Sequence, residues 1–498
     1  MLPAIRSIAR SECLWMSPPV ILWLRQDLRL GDHPALAAAC ASGRPVLPVY
    51  IRDDVAAGRW TDGGATRWWL HGSLERLDAD LRRRGSRLTL RTGDSLQVLA
   101  DLLRETGAEA LYWSRGYEPG EAAREERLRK QLGDAADLRR FGGRLLFEPE
   151  SIRTAADRPF QVFTPFWRSC LADPAPRPPI AAPERIPAPP AWPASDALGD
   201  WGLLPDRPDW SGGLRAAFTP GEGAAMDQLA VFLDEAIGAY RSQRDQPGVA
   251  GTSRLSPHLH FGEISPRQVW HAVQASVAAG TAPEGEGGGF LRELGWREFS
   301  AHLLFNWPQL PDEPLRPEFA DFPWATEPAL FAAWCHGRTG YPLIDAGMRE
   351  LWTTGWMHNR VRMIVASFLV KDLLVPWQDG EAWFWDTLVD ADLASNAASW
   401  QWVAGCGADA APYFRVFNPV LQSRKFDPEG RYVRRWVPEL ARLPDRHLHA
   451  PWEAPADALG TAGIELGTDY PEPVVDHRAA RQRALDAYAS LRRARTGA

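Results

Sequence analysis

The sequence predicts two domains of different class, an α/β domain built on a doubly wound parallel sheet followed by an all-α domain, and three observations predict them. From Val20 to Phe147, short apolar, β-rich runs alternate with helical patterns. Between Ala172 and Asp209 prolines crowd together. Beyond that stretch, apolar residues recur at helical spacing almost to the end of the chain. Alternation of this kind is the pattern of a parallel sheet covered by helices, and a proline-dense segment makes neither helix nor central strand. The chain therefore divides into an extension (1–17), an α/β domain (18–150), a connector (151–210) and a helical domain (211–498).

Taken in order, VILWL from Val20 reads as the first strand, HPALAAAC as a helix, PVLPVYI as a strand, RWWLHGSLERLDADLRRRG as an amphipathic helix and SRLTLR as a strand. No GxGxxG loop follows the first strand, so a dinucleotide, if one binds, binds elsewhere. The run PAPRPPIAAPERIPAPPAWP is an extended connector. Helices are expected at 225–242, 266–278, 290–305, 342–353, 357–374 and 477–494. Ser256-Pro257 and Ser265-Pro266 each place a capping hydroxyl before a first-turn proline, and Gly355 separates two of the helices. EGEGGG at 284–289 reads as a flexible loop.

The 498 residues are 45% hydrophobic, enough for two large cores, and the net charge of −7 argues against a uniformly basic surface that coats nucleic acid. A local basic groove stays compatible with that balance. Cysteines at 13, 40, 170, 335 and 406 form no CxxC pair, and five in all suit neither a disulfide framework nor a zinc site. A reducing cytoplasm is the expected compartment. Met1 to Met16 carries Arg6 and Arg10 without the apolar run of a secretory signal, and no membrane span is expected. Most of the 24 tryptophans are expected to be core residues.

Four stretches gather chemistry. Thr252-Ser253-Arg254-Leu255-Ser256-Pro257 brings hydroxyls and amides to a helix start, a cradle suited to a pyrophosphate, although ordinary helix caps look the same. In FLRELGWREF, Glu293, Trp296 and Arg297 fall at i, i+3 and i+4, on one helix face. In WMHNRVRMIVASF, Asn359, Arg362 and Met363 repeat that spacing on an apolar helix, where a buried Asn and Arg must find partners. DTLVDADLASNAASWQWVAG supplies Asp390, Asp392, Asn396, Trp400 and Trp402. The stretch offers no third hard ligand and no nearby His, so no metal is expected. Arg362 is the expected partner of Asp390.

These stretches, with LWLRQDLRLGDHPAL, TSRLSPHLHFGEISPRQVW, GYPLIDAGMRELWTTGWMHNRVRMIVASFLVKDLL and APYFRVFNP, closely resemble the photolyase/cryptochrome family from Val20 to the late YPEPVVDHRAARQRAL. The resemblance implies that the helical domain binds FAD and that the protein repairs cyclobutane pyrimidine dimers in ultraviolet-damaged DNA under blue light, as a monomer. It implies that Tyr240 and Thr252, Ser253, Arg254, Leu255 and Ser256 contact the FAD phosphates and ribose. Arg297, Asn359, Arg362, Asp390 and Asp392 complete the cofactor contacts, and Asn396 faces flavin N5. Glu293, Asn359, Met363, Trp296 and Trp402 are implied as the repair pocket, with Arg244 and Arg415 on the DNA backbone. Trp400, Trp377 and Trp324 are implied as an electron relay to the surface.

A folate-binding member carries an Asn-Glu pair where this chain reads Gly120-Glu121, so Glu121 is implied as the carboxylate for a methenyltetrahydrofolate antenna. A deazaflavin or no antenna stays open. TRWWLHGSL and WSRGYEPGEAARE look most like the bacterial photolyases allied to plant cryptochromes, often called class III. Two alternatives remain: a signalling cryptochrome, usually marked by a long C-terminal tail or an altered pocket, and a (6-4) photolyase, whose pocket uses a pair of histidines.

Overall fold

The computed structural model describes residues 17–54, 58–410 and 414–496. Residues 1–16 of the expected extension lie outside them. Strands β1 (Val20–Leu24), β2 (Val46–Arg52), β3 (Thr89–Thr92), β4 (Ala110–Ser114) and β5 (Asp137–Phe141) pair in parallel in the order β3-β2-β1-β4-β5. The pleat of β1 explains its continuous apolar run. Val20, Leu22 and Leu24 pack on one face with the helices Pro34–Ala41 and Gly64–Arg83, whereas Ile21 and Trp23 face the helices Ser95–Thr106 and Pro119–Leu132. A strand buried on both faces has no polar alternation to show. The sheet is therefore doubly wound, as expected.

The rest of the chain is helical and builds one large core. Within the segment 151–210, the helix Phe163–Ala172 packs Phe163, Phe166, Trp167 and Cys170 into that core, and the prolines after Ala172 lie outside helix and strand. Buried polar joints tie the two domains together. Arg29 donates to the carbonyls of Gly262, Asp32 and Gly143. Glu263 accepts from the Trp69 indole, and Glu298 accepts from the amides of Leu146 and Phe147.

Two local expectations are corrected. The EGEGGG segment is not a loop but the first turns of the helix Glu284–Asn306. Glycine is a poor helix former, by about 1 kcal/mol against Ala, yet here its missing side chain admits close neighbours. A Cβ at Gly287 would stand 2.6 Å from Val277, and one at Gly289 would stand 2.9 Å from Arg241. Ser256 begins its short helix but does not cap it; its hydroxyl accepts from the Trp356 indole at 3.2 Å. Ser265 does cap, in a reciprocal box with Gln268. Gly355 ends the helix Pro342–Thr354 with a left-handed φ of 68°. No helix among the described residues is long and apolar enough to cross a membrane.

Candidate functional site

The helix Leu393–Ala404 packs against both Glu284–Asn306 and Asn359–Ser367, and the three carry Glu293, Trp296, Arg297, Asn359, Arg362, Met363, Asn396, Trp400 and Trp402. Arg362 and Asp390 form the expected ion pair, with Arg362 Nη2 2.8 and 3.1 Å from the two carboxylate oxygens. Its Nε donates to Met357 O at 2.7 Å, which supplies the extra hydrogen bond that a pair in this setting requires. Asp392 caps the helix Leu393–Ala404 by accepting from Ser395 N at 2.7 Å. Burial opposes its ionisation, but His260 and the Arg297 charge outweigh that and hold its carboxyl below the usual range. Asn396, one turn on, donates Nδ2 to Glu381 O at 3.0 Å.

The 252–256 loop turns through Arg254, whose φ is 53°. Its guanidinium lies over the Phe218 and Trp356 rings at 4.5 and 4.9 Å, and its buried Nε has no partner among the described residues. Leu255 is buried, its amide donating to Ser253 Oγ at 3.4 Å, and Ser253 O accepts from Gln228. Thr252 is half-buried at the start of the turn. Tyr240 is buried with the Arg244 guanidinium 5.4 Å over its ring. Amides and hydroxyls at a helix start could hold a pyrophosphate. The Arg362–Asp390 pair and the Asn396 amide could hold the polar edge of a flat heterocycle.

Glu293 and Arg244, expected in separate roles, are hydrogen-bonded to each other. Asn359 is exposed at the start of its helix, and Met363, one turn along, accepts from Arg360 Nη1 at 3.7 Å. Trp296 lies flat on Phe163, and Trp402 donates Nε1 to Asp409 O at 3.0 Å. Arg415 lines a small cavity with Trp402, Lys371 and Phe414. Arg297 stands on the same helix as Glu293 and Trp296, but its guanidinium reaches different partners. It donates to Arg144 O at 2.9 Å and Leu259 O at 3.5 Å, and lines a different cavity with Asp392 and Glu118.

Glu121 is buried, and its oxygens are engaged by Arg144 at 3.0 and 2.9 Å, by Arg25 and by the Tyr117 amide. The neighbouring cavity is faced by Glu118, whose carboxyl burial and the nearby Glu121 push up to about 8.

Trp400 is buried, edge-on to Phe384 at 5.0 Å and Trp334 at 6.3 Å. It packs onto Gly380, where a Cβ would collide with its ring, one turn along the helix that begins at Trp377. Trp377 is buried and Trp324 half-buried, and the Trp324 loop joins the same region through Ala325 N to Leu374 O at 2.8 Å.

Glu381 was missed by the sequence reading. It is fully buried, neither carboxyl oxygen has a hydrogen-bond partner among the described residues, and burial pushes it up to about 9. Its one signal was a carboxylate set just before the aromatic triplet in WQDGEAWFW.

Comparison with known proteins gives concordant matches. The model of the FAD binding domain of DNA photolyase matches residues 290–490, and the DNA photolyase model matches residues 20–189. The chain is 50% identical over 479 residues to a deoxyribodipyrimidine photo-lyase of Agrobacterium fabrum, covering 95% of this chain and 98% of that one. It is 41% identical to cryptochrome-1 of Arabidopsis thaliana, over 95% of this chain and 70% of that protein. The crystal structure of a bacterial class III photolyase from Agrobacterium tumefaciens superposes with a TM-score of 0.94 at 49% identity, over 97% of this chain and all of that one.

Proposed function

The chain belongs to the DNA photolyase/cryptochrome family, and from that premise we propose that it is a deoxyribodipyrimidine photo-lyase, which repairs cyclobutane pyrimidine dimers in ultraviolet-damaged DNA under blue light with FAD as cofactor. The carrying observation is 50% identity to a photo-lyase over nearly the whole of both chains. Signalling is the less favoured reading, since the identity to the cryptochrome is lower, 41% against 50%. The (6-4) reading is opposed by His358, which burial holds down to about 4 and whose Nδ1 accepts from Arg360 N, so it serves as a helix cap and not as an acid facing a lesion. We further read the protein as a cytoplasmic monomer.

The donor set fits FAD. Tyr240 and residues 252–256 would hold its phosphates and ribose, and Arg362, Asp390, Asp392 and Asn396 would hold its ring system. Bound and reduced, FAD supplies the electron that opens the dimer. The chain's own groups do the positioning. Asn359 donates to the pyrimidine edge where negative charge develops, Glu293 accepts from a ring N–H of the lesion, Met363 lines the pocket, and Trp296 and Trp402 stack on the extruded bases. Arg244 and Arg415 hold backbone phosphates, a salt-dependent term that operates despite the net charge of −7. A methenyltetrahydrofolate antenna rests on the resemblance alone; a strong near-ultraviolet band beside the flavin bands of the purified protein is its test.

Glu293→Ala is expected to slow repair by about 10²-fold, the usual effect of losing one oriented group at a developing charge, with flavin content unchanged. Dimer repair under blue light measures it. Absent repair by the parent protein would favour signalling, and an unaltered yield in the variant would remove Glu293 from the repair pocket.

Trp400→Phe tests the relay. The change is near volume-conserving and should keep fold and flavin, but phenylalanine is much harder to oxidise. The variant should resist photoreduction with an external reductant and repair normally after chemical reduction by dithionite. Wild-type photoreduction would route the relay through other tryptophans. Failure to repair after dithionite would put Trp400 in the core or the repair site.

A further inference from the structure

The indoles of Trp296 and Trp402 stand on two different helices, yet one short stretch of chain holds both. Phe163 opens the helix Phe163–Ala172 and lies on Trp296 with ring centroids 3.8 Å apart and planes 8° from parallel. Trp167 continues the column beyond Phe163 at 6.4 Å and 12°. The column fits because the residue beside Trp296 is Gly295, where a Cβ would stand 2.5 Å from the Trp167 ring. On the other wall, the Asp409 carbonyl accepts from Trp402 Nε1 at 3.0 Å, while the Asp409 amide donates to Gln161 O at 3.0 Å. Gln161 is two residues before Phe163, so the supports of the two indoles are joined.

Asp409 makes these contacts with a φ of 51°, in the left-handed region that Asp tolerates better than most residues. Its half-buried carboxyl is raised by burial and drawn back by the Phe163 amide and the Arg292 charge, so the side chain also faces the start of the 163–172 helix. Arg292 in turn lies 4.7 Å over the Phe163 ring.

We propose that Phe163 and Asp409 are positioning residues for lesion recognition, setting the tilt and spacing of the two indoles that receive the extruded pyrimidine pair. The proposal rests on reading Trp296 and Trp402 as the stacking partners of the lesion. An indole packed on Phe163 keeps one face for a base and little freedom to follow it. An indole whose N–H is pinned to Asp409 cannot turn about its own ring axis. Walls fixed in this way favour a pair of pyrimidines already locked together over two separate bases, because no ordering of the walls is needed when the lesion enters.

The test uses the full-length, flavin-loaded protein and its affinities for a dimer-containing duplex and for the undamaged duplex. Phe163→Leu removes the stack. Asp409→Val, whose branched side chain disfavours a left-handed backbone, displaces the carbonyl, whereas Asp409→Asn keeps the acceptor and accepts that backbone. Phe163→Leu and Asp409→Val are each expected to lower the damaged-to-undamaged preference by about tenfold, the effect of one weakened base stack, with flavin content and undamaged affinity unchanged. Asp409→Asn should retain the preference. Should Phe163→Leu lose flavin, the Val and Asn variants of Asp409 carry the comparison. Full preference in Asp409→Val, with loss in Trp296→Ala, overturns the positioning role and leaves the site standing. Full preference in Trp296→Ala and Trp402→Ala as well overturns both.

Discussion

Replacing Asp390 by Ala is expected to cost about 3–5 kcal/mol of stability, the usual result of removing one partner from a buried ion pair, and to empty the flavin site. The Asp390 side chain is only 3% exposed and that of Arg362 only 23%, so water replaces little of the lost carboxylate. The guanidinium would keep Met357 O and lose both contacts of its Nη2. Asp390→Asn retains one acceptor oxygen and should lose less. Urea unfolding and the flavin absorbance of the purified variants measure both effects. An Ala variant that keeps wild-type stability and full flavin would mean that the pair neither supports the fold nor borders the cofactor.

Glu381→Gln is expected to change how stability depends on pH. The folded carboxyl lies near 9 against an ordinary 4.5, raised by burial. A raised carboxyl keeps its proton in the folded state and gives it up on unfolding. Its contribution is therefore complete below about pH 4.5 and is lost progressively as pH rises toward 9. Glutamine has the same shape and does not titrate. The variant should gain on the parent protein by about 1.4 kcal/mol per pH unit across that window, as read from unfolding at pH 5, 7 and 9. A difference that does not vary with pH would show that Glu381 is ionised and partnered in the fold. Because Asn396 donates to the Glu381 carbonyl, the same series should record whether flavin affinity follows the titration.

The sequence by itself determined the two domain classes, the buried run of β1, the Ser265 cap, the end of a helix at Gly355 and the pairing of Arg362 with Asp390. Each depends on information carried within a few residues, or on a rule that admits few solutions: two buried opposite charges on an apolar background must meet. Tertiary structure alone decided the rest. Periodicity put Glu293, Trp296 and Arg297 on one face but could not say that Glu293 meets Arg244, Trp296 meets Phe163 and Arg297 turns away to Arg144. Six residues of glycine-rich composition read as a loop form helix, packed so close to Val277 and Arg241 that a Cβ at Gly287 or Gly289 would crowd them. Nor could spacing say that Glu121 pairs with Arg144 and Arg25. Helix propensity and face are local properties, a few tenths of a kcal/mol to about 1 kcal/mol per residue, whereas the partner of a side chain depends on which distant segment packs against it, and that is fixed only when the whole core closes.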